Sequence, residues 1–510
     1  MRSADCAVCL IRALVMGVIF YFCTTWDDAD DTTITRSSTP APEKELDDLT
    51  WTKVVLLISF VVIFLGIVHL VNFPYLDKEV KHEGWQLLTV AISIFSAACL
   101  VFAISRVLRS ITQGDEVREE VEGTLNFVIC VSVFACLAFT ALHMVLLSIT
   151  PTPGNHRKMF AASMFGSHVY AAASVLAFGQ LQKNYFGESL STALAVPCLS
   201  IAVTAVLYGL VLLAERSCRF ERMPVQLVKD AQIEAGAIAA AFLVVQALCY
   251  AMSEEQTERF TPVIHGPPGA HHASCVLSLF GSAAVLIVFS AMWSVCLRPR
   301  CRHMPFVLDF VSRLASVTGC WCLQRGGIIL FYKVFMWKMS SETCDENHCT
   351  GRHRINLGHA SNRATVVNAL AMSLLAAGFI FLTDCCEPCD ESDPTDLGLY
   401  NASPGMRMVV DGFGLLVGIV WAKAFQTAYS VLDRASIEHL KGQHSRIGEF
   451  VGDNPITASV TASSVGIVVS MCVLVAWYHL IVPHAMKHAE AEERARLAQS
   501  SDTDDCADSP

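Results

Sequence analysis

The hydrophobic positions of the chain fall into long uninterrupted runs that recur from residue 8 to residue 482. Each run is apolar on all sides, whereas a surface helix of a soluble protein is apolar along one stripe only. A helix needs about 20 apolar residues to cross the hydrocarbon of a bilayer, so the pattern predicts an all-α integral membrane protein, a polytopic bundle of about 11–12 transmembrane helices. The predicted spans are Val8–Trp26, Trp51–Phe73, Trp85–Ser105, Thr124–Ile149, Met159–Leu181, Leu190–Ala214, Ala235–Met252, Ser274–Leu297, Met304–Met336, Arg363–Asp384, Val409–Leu432 and Thr457–Val482.

Polar stretches divide these runs into two groups, and further polar stretches flank the bundle near both termini. No clear A-x-A cleavage site follows the first run, which favours a signal-anchor helix over a cleaved signal peptide. The stretches that flank the bundle at either end are acidic and poor in aromatics, a composition typical of disordered segments. The predicted division is residues 1–26 as signal anchor or first transmembrane helix, 27–50 as an acidic disordered loop, 51–214 as the first half of the bundle, 215–233 as a basic cytoplasmic loop, 234–483 as the second half, and 484–510 as an acidic C-terminal tail.

Composition agrees with a membrane protein. Of the 510 residues, 53% are hydrophobic and 16% are charged, against roughly a quarter charged residues in soluble domains. The predicted partner is therefore the lipid bilayer, and the absence of a basic stripe with aromatic residues speaks against nucleic acid. Most of the 21 cysteines lie in apolar runs, where they act as small hydrophobes and do not indicate an oxidising compartment.

Basic residues in the loops indicate an orientation for the first eight spans. The loop with Arg216, Arg219, Arg222 and Lys229 and the loop RPRCR at 298–302 fall on the same side as the N-terminus, which we expect to be cytoplasmic. Beyond the eighth span the rule fails, because the basic loop 337–362 falls outside and the acidic loop 385–406 falls inside. Either the segment Met304–Met336 is not a simple span or the rule is not followed.

The segment Met304–Met336 carries the charged residues Asp309, Arg313 and Arg325 within an apolar sequence. Asp309 and Arg313 are four positions apart and can pair on one helix face. Charges inside a membrane are costly, so one hypothesis is that these residues face the bundle interior and contact an ion or anionic solute. The alternative is a long helix that lies partly in the interface, with its charges in water.

A second charged span contains Asp411 and Lys423. The two lie twelve positions apart, about 120° around a helix, so each needs a partner from another helix. Asp411 is complementary to Arg325 or Arg313. The segments GCWCLQRGGIILFY and VGIVWAKAFQTAY, about one hundred positions apart, share a spacing of aromatic and polar residues. They suggest duplicated helix pairs, as in many transporters, although such a spacing also arises by chance.

Single histidines occur in separate spans, at His69, His143 and His168. Histidine is the side chain whose ordinary titration falls near neutral pH, so His143 and His168 are candidates for a proton path. The competing interpretation is a histidine that only forms structural hydrogen bonds.

The loops between the later spans contain cysteine, histidine and a glycosylation pattern. Cys344 and Cys349 are close enough in sequence for a small disulfide if their loop is lumenal, and Asn401 begins an N-x-S acceptor, which matters only on the lumenal side. Neither cysteine group has a complete four-ligand spacing for zinc. No metal site and no cofactor is therefore predicted.

Motifs of catalysis are missing from the sequence. It contains no Walker A, no GxGxxG after a strand, no HExxH and no GxSxG, so we expect neither an ATP-driven pump nor an enzyme. The function predicted is a secondary transporter or channel-like permease for an ion or small solute. The alternative is a non-transporting scaffold, assembly or sensor protein. The substrate, the coupling ion and any protein partner cannot be derived from these residues.

Overall fold

The structure, a computed structural model, describes the residues 78–112, 120–148, 155–186, 190–217, 222–252, 271–296, 305–340, 364–380, 408–426 and 455–486. All regular structure in these ranges is helical, and nine of their helices are long and apolar enough to cross a membrane. The protein is therefore an all-α multi-pass membrane protein, as predicted. The first two predicted spans, Cys344, Cys349 and Asn401 lie outside the described residues.

The helices follow one another with little intervening chain in the first half. They are α1 (Lys78–Thr112), α2 (Glu120–Ser148), α3 (His156–Tyr185), α4 (Leu190–Ser217), α5 (Arg222–Met252), α6 (His271–Cys296), α7 (Pro305–Ser340), the shorter α8 (Ala364–Ile380), α9 (Met408–Gln426) and α10 (Pro455–Ala476). A π-helical turn, Trp477–Ile481, continues α10 toward residue 486. The charged segment around residues 309–333 is one continuous helix, α7, of spanning length.

Burial separates inner helices from outer helices. In α1, α5, α7 and α9, between 61% and 83% of the most apolar stretch is buried, against 22–28% in α2, α4, α6 and α10. The outer helices expose leucine, valine and isoleucine to their surroundings. In a membrane these exposed side chains contact lipid, which satisfies them as well as protein would.

Hydrogen bonds and close packing contacts join five helices, α1, α3, α5, α7 and α9, in a closed circuit, which we call the inner ring. Each helix of the inner ring contacts two others of the ring. The contacts that close the circuit are Ser93 with His168 (α1–α3), His168 with Glu234 (α3–α5), Phe242 with Trp321 (α5–α7), Ser316 with Met408 (α7–α9), and Gly418 with Ile94 and Ala91 (α9–α1).

All five helices of the inner ring begin at the same end of the bundle, which we call the first end. Along α9 and α1, Asp411 bonds to Gln86, and Phe425 packs on Phe95 further on, so the two helices are parallel. The other neighbouring helices of the ring are also parallel, because residues that come later in both helices contact each other further along the bundle. By contrast α8 is antiparallel, because its Asn368 bonds to the backbone of Gln324 and its Phe379 packs on Phe413. Successive helices therefore cross in alternating directions.

Glycine allows α9 to approach its neighbours closely. Gly414 and Gly418 form a G-x-x-x-G pair that faces the backbone of α1. A Cβ atom on Gly414 would stand 2.9 Å from the Leu87 carbonyl oxygen, and one on Gly418 would overlap the Ala91 carbonyl and Ile94. Small residues at this spacing let membrane helices meet backbone to backbone.

Candidate functional site

His168 lies fully buried in the inner ring, between α1 and α5. Its Nδ1 is 2.8 Å from the hydroxyl oxygen of Ser93, and its Nε2 is 3.1 Å from a carboxylate oxygen of Glu234. The Ser167 hydroxyl lies 3.4 Å from the other oxygen of Glu234. The imidazole therefore links side chains of three helices.

Both ring nitrogens of His168 keep a partner in two protonation states. A carboxylate only accepts, so an ionised Glu234 requires the proton of a neutral ring to lie on Nε2, and Ser93 then donates to Nδ1. One further proton can be held, on Nδ1 or on Glu234. Where Nδ1 carries the proton it donates to the Ser93 oxygen, because a hydroxyl both donates and accepts. The triad can thus take up or release one proton without an unpaired ring nitrogen.

Arg313 of α7 faces four carboxylates. It interacts electrostatically with Glu234, Asp411, Asp230 and Asp309. Asp230 lies one helical turn before Glu234 on α5, and Asp309 lies one turn before Arg313 on α7. The residues of each pair therefore share a helix face. The carboxylates thus form two layers, the outer one nearer the first end.

The fifth helix of the inner ring, α1, also contacts the carboxylate of Asp411. The Gln86 amide donates a hydrogen bond of 2.7 Å to Asp411. Gln86 and Ser93 are seven residues apart, two helical turns, and therefore lie on one face of α1. We call Asp230, Glu234, Asp309 and Asp411, together with Arg313 and His168, the acidic cluster.

The acidic cluster has an excess of negative charge. The three carboxylates of Glu234, Asp411 and Asp230 and the guanidinium of Arg313 together give a formal charge of −2 with His168 neutral and −1 with His168 protonated. The Glu234 side chain is only 18% exposed. A net negative charge within a membrane bundle is unfavourable, and it is relieved when a proton binds.

An apolar layer closes the inner ring one turn beyond the acidic cluster. Ile238, Val317 and Leu415 each follow a charged residue of the cluster by four positions, and they pack with Ile94 and Ala171 in one buried core. Phe242 and Trp321 pack edge to face one turn further, 5.0 Å between ring centres. The layer separates the acidic cluster from the second end of the bundle.

The structure brings some of the predicted residues together and separates others. Asp309, Arg313, Asp411 and His168 lie in the acidic cluster. Arg325 and Lys423 lie instead near each other, beyond the apolar layer. Asp411 is thus near Arg313, one of the two partners weighed from the sequence.

His143 lies apart from the acidic cluster, on the outer helix α2. Its Nδ1 is 2.7 Å from the Phe139 carbonyl and its Nε2 is 3.0 Å from the Gln232 amide nitrogen. Since a carbonyl only accepts, Nδ1 carries the proton and Nε2 accepts from Gln232. This is the pattern of a neutral histidine between two structural partners.

Glu234 was missed as a site residue in the sequence. The predicted span began at Ala235, whereas α5 begins at Arg222 and carries Asp230 and Glu234 within the helix. Hydropathy detects the apolar part of a helix only, so polar turns that extend it are assigned to a loop. The sequence signal that was available is the spacing of Asp230 and Glu234, one turn apart and directly before an apolar run.

No three His, Cys, Asp or Glu side chains among the described residues are grouped as a metal site. No family model, curated protein or solved structure matches the chain.

Proposed function

We propose that this multi-pass membrane protein is a secondary transporter or channel-like permease for an ion or small solute, and that a proton binds at the acidic cluster. The observation that carries the proposal is the buried His168, held between Ser93 and Glu234, beside the carboxylates Asp230 and Asp411, which with Glu234 outnumber the guanidinium of Arg313. Each buried charge costs roughly 2.5–3.5 kcal/mol on insertion scales. A network that served only to hold helices together would be cheaper with its charges balanced.

The excess negative charge supports a cation as the species bound. His168 and Glu234 supply a proton acceptor with hydrogen bonds for both protonation states. Asp230 and Asp309 precede them toward the first end, where they can attract the same species electrostatically. No catalytic step is part of the proposal.

The apolar layer favours a transporter with alternating access over a continuously open channel. Ile238, Val317 and Leu415 are buried, and ions do not cross a dry apolar layer without a change in helix packing. Movement of α9 against α1, or of α7 against α5, would open this layer while the acidic cluster stays assembled.

Flux into proteoliposomes tests the proposal. The purified full-length chain is reconstituted, a pH gradient or a gradient of Na⁺ or K⁺ is imposed, and the internal ion is followed with a dye. We expect flux above that of empty liposomes for at least one ion. Glu234→Gln and Asp411→Asn should each lower this flux at least about tenfold, the effect of 1.4 kcal/mol on a barrier.

Glu215→Gln is the matched control. Glu215 also pairs with a basic side chain, Lys229 at 2.6 Å, but its own side chain is 37% exposed. The Lys229 side chain is 12% exposed; since Glu215 itself reaches solvent and is not part of the acidic cluster, the control should keep the flux of the wild type. Wild-type flux equal to that of empty liposomes for every ion would contradict transport and favour a scaffold, assembly or sensor protein.

A further inference from the structure

The last turns of α10 are built differently from the rest of the helix. In the π-helical turn Trp477–Ile481, the Val482 backbone N–H donates to the Trp477 carbonyl, five residues back. The next residue, Pro483, has no backbone N–H. At the spacing of the π-turn, Pro483 is the residue that would pair with the Tyr478 carbonyl, so this carbonyl is left without its backbone donor.

An arginine from another helix supplies the missing donor. Arg157, the second residue of α3, donates from its guanidinium to the Tyr478 carbonyl. The guanidinium carbon also lies 4.3 Å from the centre of the Tyr478 ring. Within a membrane, a carbonyl that is freed by proline has to be satisfied by another group of the protein. Arg157 therefore replaces a backbone hydrogen bond that Pro483 makes impossible.

Burial along α10 changes at the same turn. Before the turn, large side chains such as Met471 and Val475 are exposed. Residues 477–486, which we call the end segment, instead bury one helix face. The buried side chains of this face are Trp477, Ile481, Val482 and Ala485. The end segment thus covers other parts of the protein, whereas the helix before it faces lipid.

The end segment bridges two helices of the inner ring near the first end. Tyr478 contacts Arg157 of α3, and six residues later the His484 ring packs on Trp85 of α1, with 4.6 Å between the ring centres. Six helical residues extend about 9 Å, which matches the distance of about 8–10 Å between packed helices. One end of the segment is therefore held by α3 and the other by α1.

The same two helices lead from the end segment to the acidic cluster. Helices α1 and α3 contact each other through Ser93 and His168. These residues lie eight positions beyond Trp85 and eleven beyond Arg157, about 12 and 17 Å along the helices. A segment that bridges α1 and α3 near the first end thus lies over the seam that contains His168. Proline and π-turns are points at which helices bend, and π-turns are frequent at functional sites.

We propose that the end segment is a lid on the first end of the inner ring, that the π-turn is its hinge, and that Arg157 is the latch that holds it closed. Ahead of the hinge, α10 is fixed separately, because Ser470 donates a hydrogen bond of 2.7 Å to the Ser96 carbonyl of α1. Opening requires loss of the Arg157 bond and of the contact between His484 and Trp85. Control of proton entry by the lid, unlike the lid itself, rests on the transport function proposed above.

Chemical labelling of the purified full-length chain in detergent tests the lid without a transport assay. Ala485→Cys places a thiol on the buried face, and its reaction with a water-soluble maleimide is followed by mass spectrometry of the peptide that contains residue 485. Arg157→Met keeps the length of the latch side chain but removes its donors. We expect it to accelerate labelling at least about tenfold, the effect of about 1.4 kcal/mol, which is close to the lower limit for a hydrogen bond to a charged group.

Two controls come from the chain itself. Cys99 of α1 is as buried as Ala485, 8% against 7% exposed, so its labelling reports a general loosening of the bundle and should not change. Lys158→Met removes the neighbouring basic side chain, which is exposed, and should leave the labelling of residue 485 within about twofold, below about 0.4 kcal/mol. Unchanged labelling after Arg157→Met, or equal acceleration at Cys99, would overturn the lid.

The proline provides the decisive variant. Pro483→Ala restores a backbone N–H that can reach the Tyr478 carbonyl, so Arg157→Met should accelerate labelling less than about threefold in that background. An equally large effect with proline and with alanine at position 483 would overturn the latch, because Arg157 would then not replace the missing donor. Where Arg157→Met does not fold alone, recovery of the folded chain on addition of Pro483→Ala supports the latch, and failure to recover it contradicts the latch.

Flux into proteoliposomes then tests what the lid controls. A lid that opens more readily should admit protons to the acidic cluster more often, so Arg157→Met should raise the initial proton flux at least about twofold. Faster labelling with unchanged flux would support the lid and contradict its control of entry. Wild-type flux equal to that of empty liposomes would contradict transport and leave the labelling result as it stands.

Discussion

His168 and His143 are both single histidines within apolar spans, and the sequence offers no way to tell them apart. Their partners differ. His168 bonds to a hydroxyl and a carboxylate from two other helices, whereas His143 bonds to a backbone carbonyl of its own helix and to a neutral amide. Which neighbour a side chain meets is a property of tertiary packing, so candidate histidines could be proposed from the sequence but not ranked.

A double-mutant cycle should measure this difference in energy. We expect the coupling between His168→Gln and Glu234→Gln to exceed the coupling between His143→Gln and Gln232→Ala. Hydrogen bonds to charged groups contribute about 1.5–3 kcal/mol and neutral ones about 0.5–1.5 kcal/mol. The measurement is unfolding of each single and double variant in detergent, from which the interaction term follows.

The second pair is the control of this cycle, because it joins a histidine to a polar side chain of α5 at nearly the same distance. Equal coupling energies for the two pairs would contradict a charged His168–Glu234 contact. They would mean that Glu234 is neutral in the folded protein, so that no carboxylate remained there to attract a cation.

At the scale of elements, hydropathy predicted the spans well in their centres and poorly at their ends. The structure begins α5 at Arg222 and extends α1 from Lys78 to Thr112, beyond the predicted Trp85–Ser105. Helices continue past the hydrocarbon because backbone hydrogen bonds still favour them, while the side chains there turn polar. The site residue Glu234 lies in such an extension, one residue before the predicted span Ala235–Met252, which explains why it was left out of the span.

The contact of α9 with α1 provides a prediction for one element. We expect Gly418→Ala to destabilise the protein by about 1–3 kcal/mol, the usual cost of overpacking. The added methyl group would meet the Ala91 backbone carbonyl, which cannot rotate away as a long side chain could. Thermal unfolding in detergent and the yield of folded protein measure the effect.

Gly209→Ala on α4 is the matched substitution. Nothing lies within 4 Å of a Cβ there, so the change should be neutral or should stabilise the helix by up to about 1 kcal/mol. If both variants unfold at the same temperature as wild type, α9 and α1 do not meet backbone to backbone.

At the scale of the whole molecule, the ionisable residues of the acidic cluster, and Arg325 and Lys423, all lie on helices of the inner ring. The outer helices α2, α4, α6 and α10 are strongly apolar through their spans, and they alternate with the ring along the chain. The alternation of strongly apolar spans with spans that carry charges therefore predicts from the sequence which spans face lipid. Helix α1 is the exception, because it is as apolar as the outer helices and yet deeply buried. Its position depends on the α9 glycines, which hydropathy does not register.

The continuous span of α7 bears on the orientation that the sequence left open. Because α7, α8 and α9 cross in alternating directions, α8 ends and α9 begins at the first end of the bundle. Helix α4 ends with Arg216 at this same end, which we expect to be cytoplasmic from the basic loops of the first eight spans. The acidic stretch 385–406 does not change this assignment, since acidic residues contribute little to it.

The acceptor Asn401 lies in the sequence between α8 and α9. We therefore expect that it is not glycosylated in a eukaryotic cell. The measurement is the electrophoretic shift of the wild type and of Asn401→Gln on treatment with a glycosidase. Glu255→Asn creates an N-x-T acceptor with Thr257 between α5 and α6, at the second end, and should gain a glycan.

Glycosylation at Asn401 without any at the engineered acceptor would place the first end in the lumen, and the acidic cluster would then open toward that side. Glycans at both positions would mean that the chain does not cross the membrane an odd number of times between them, which contradicts the alternation on which the inner ring depends.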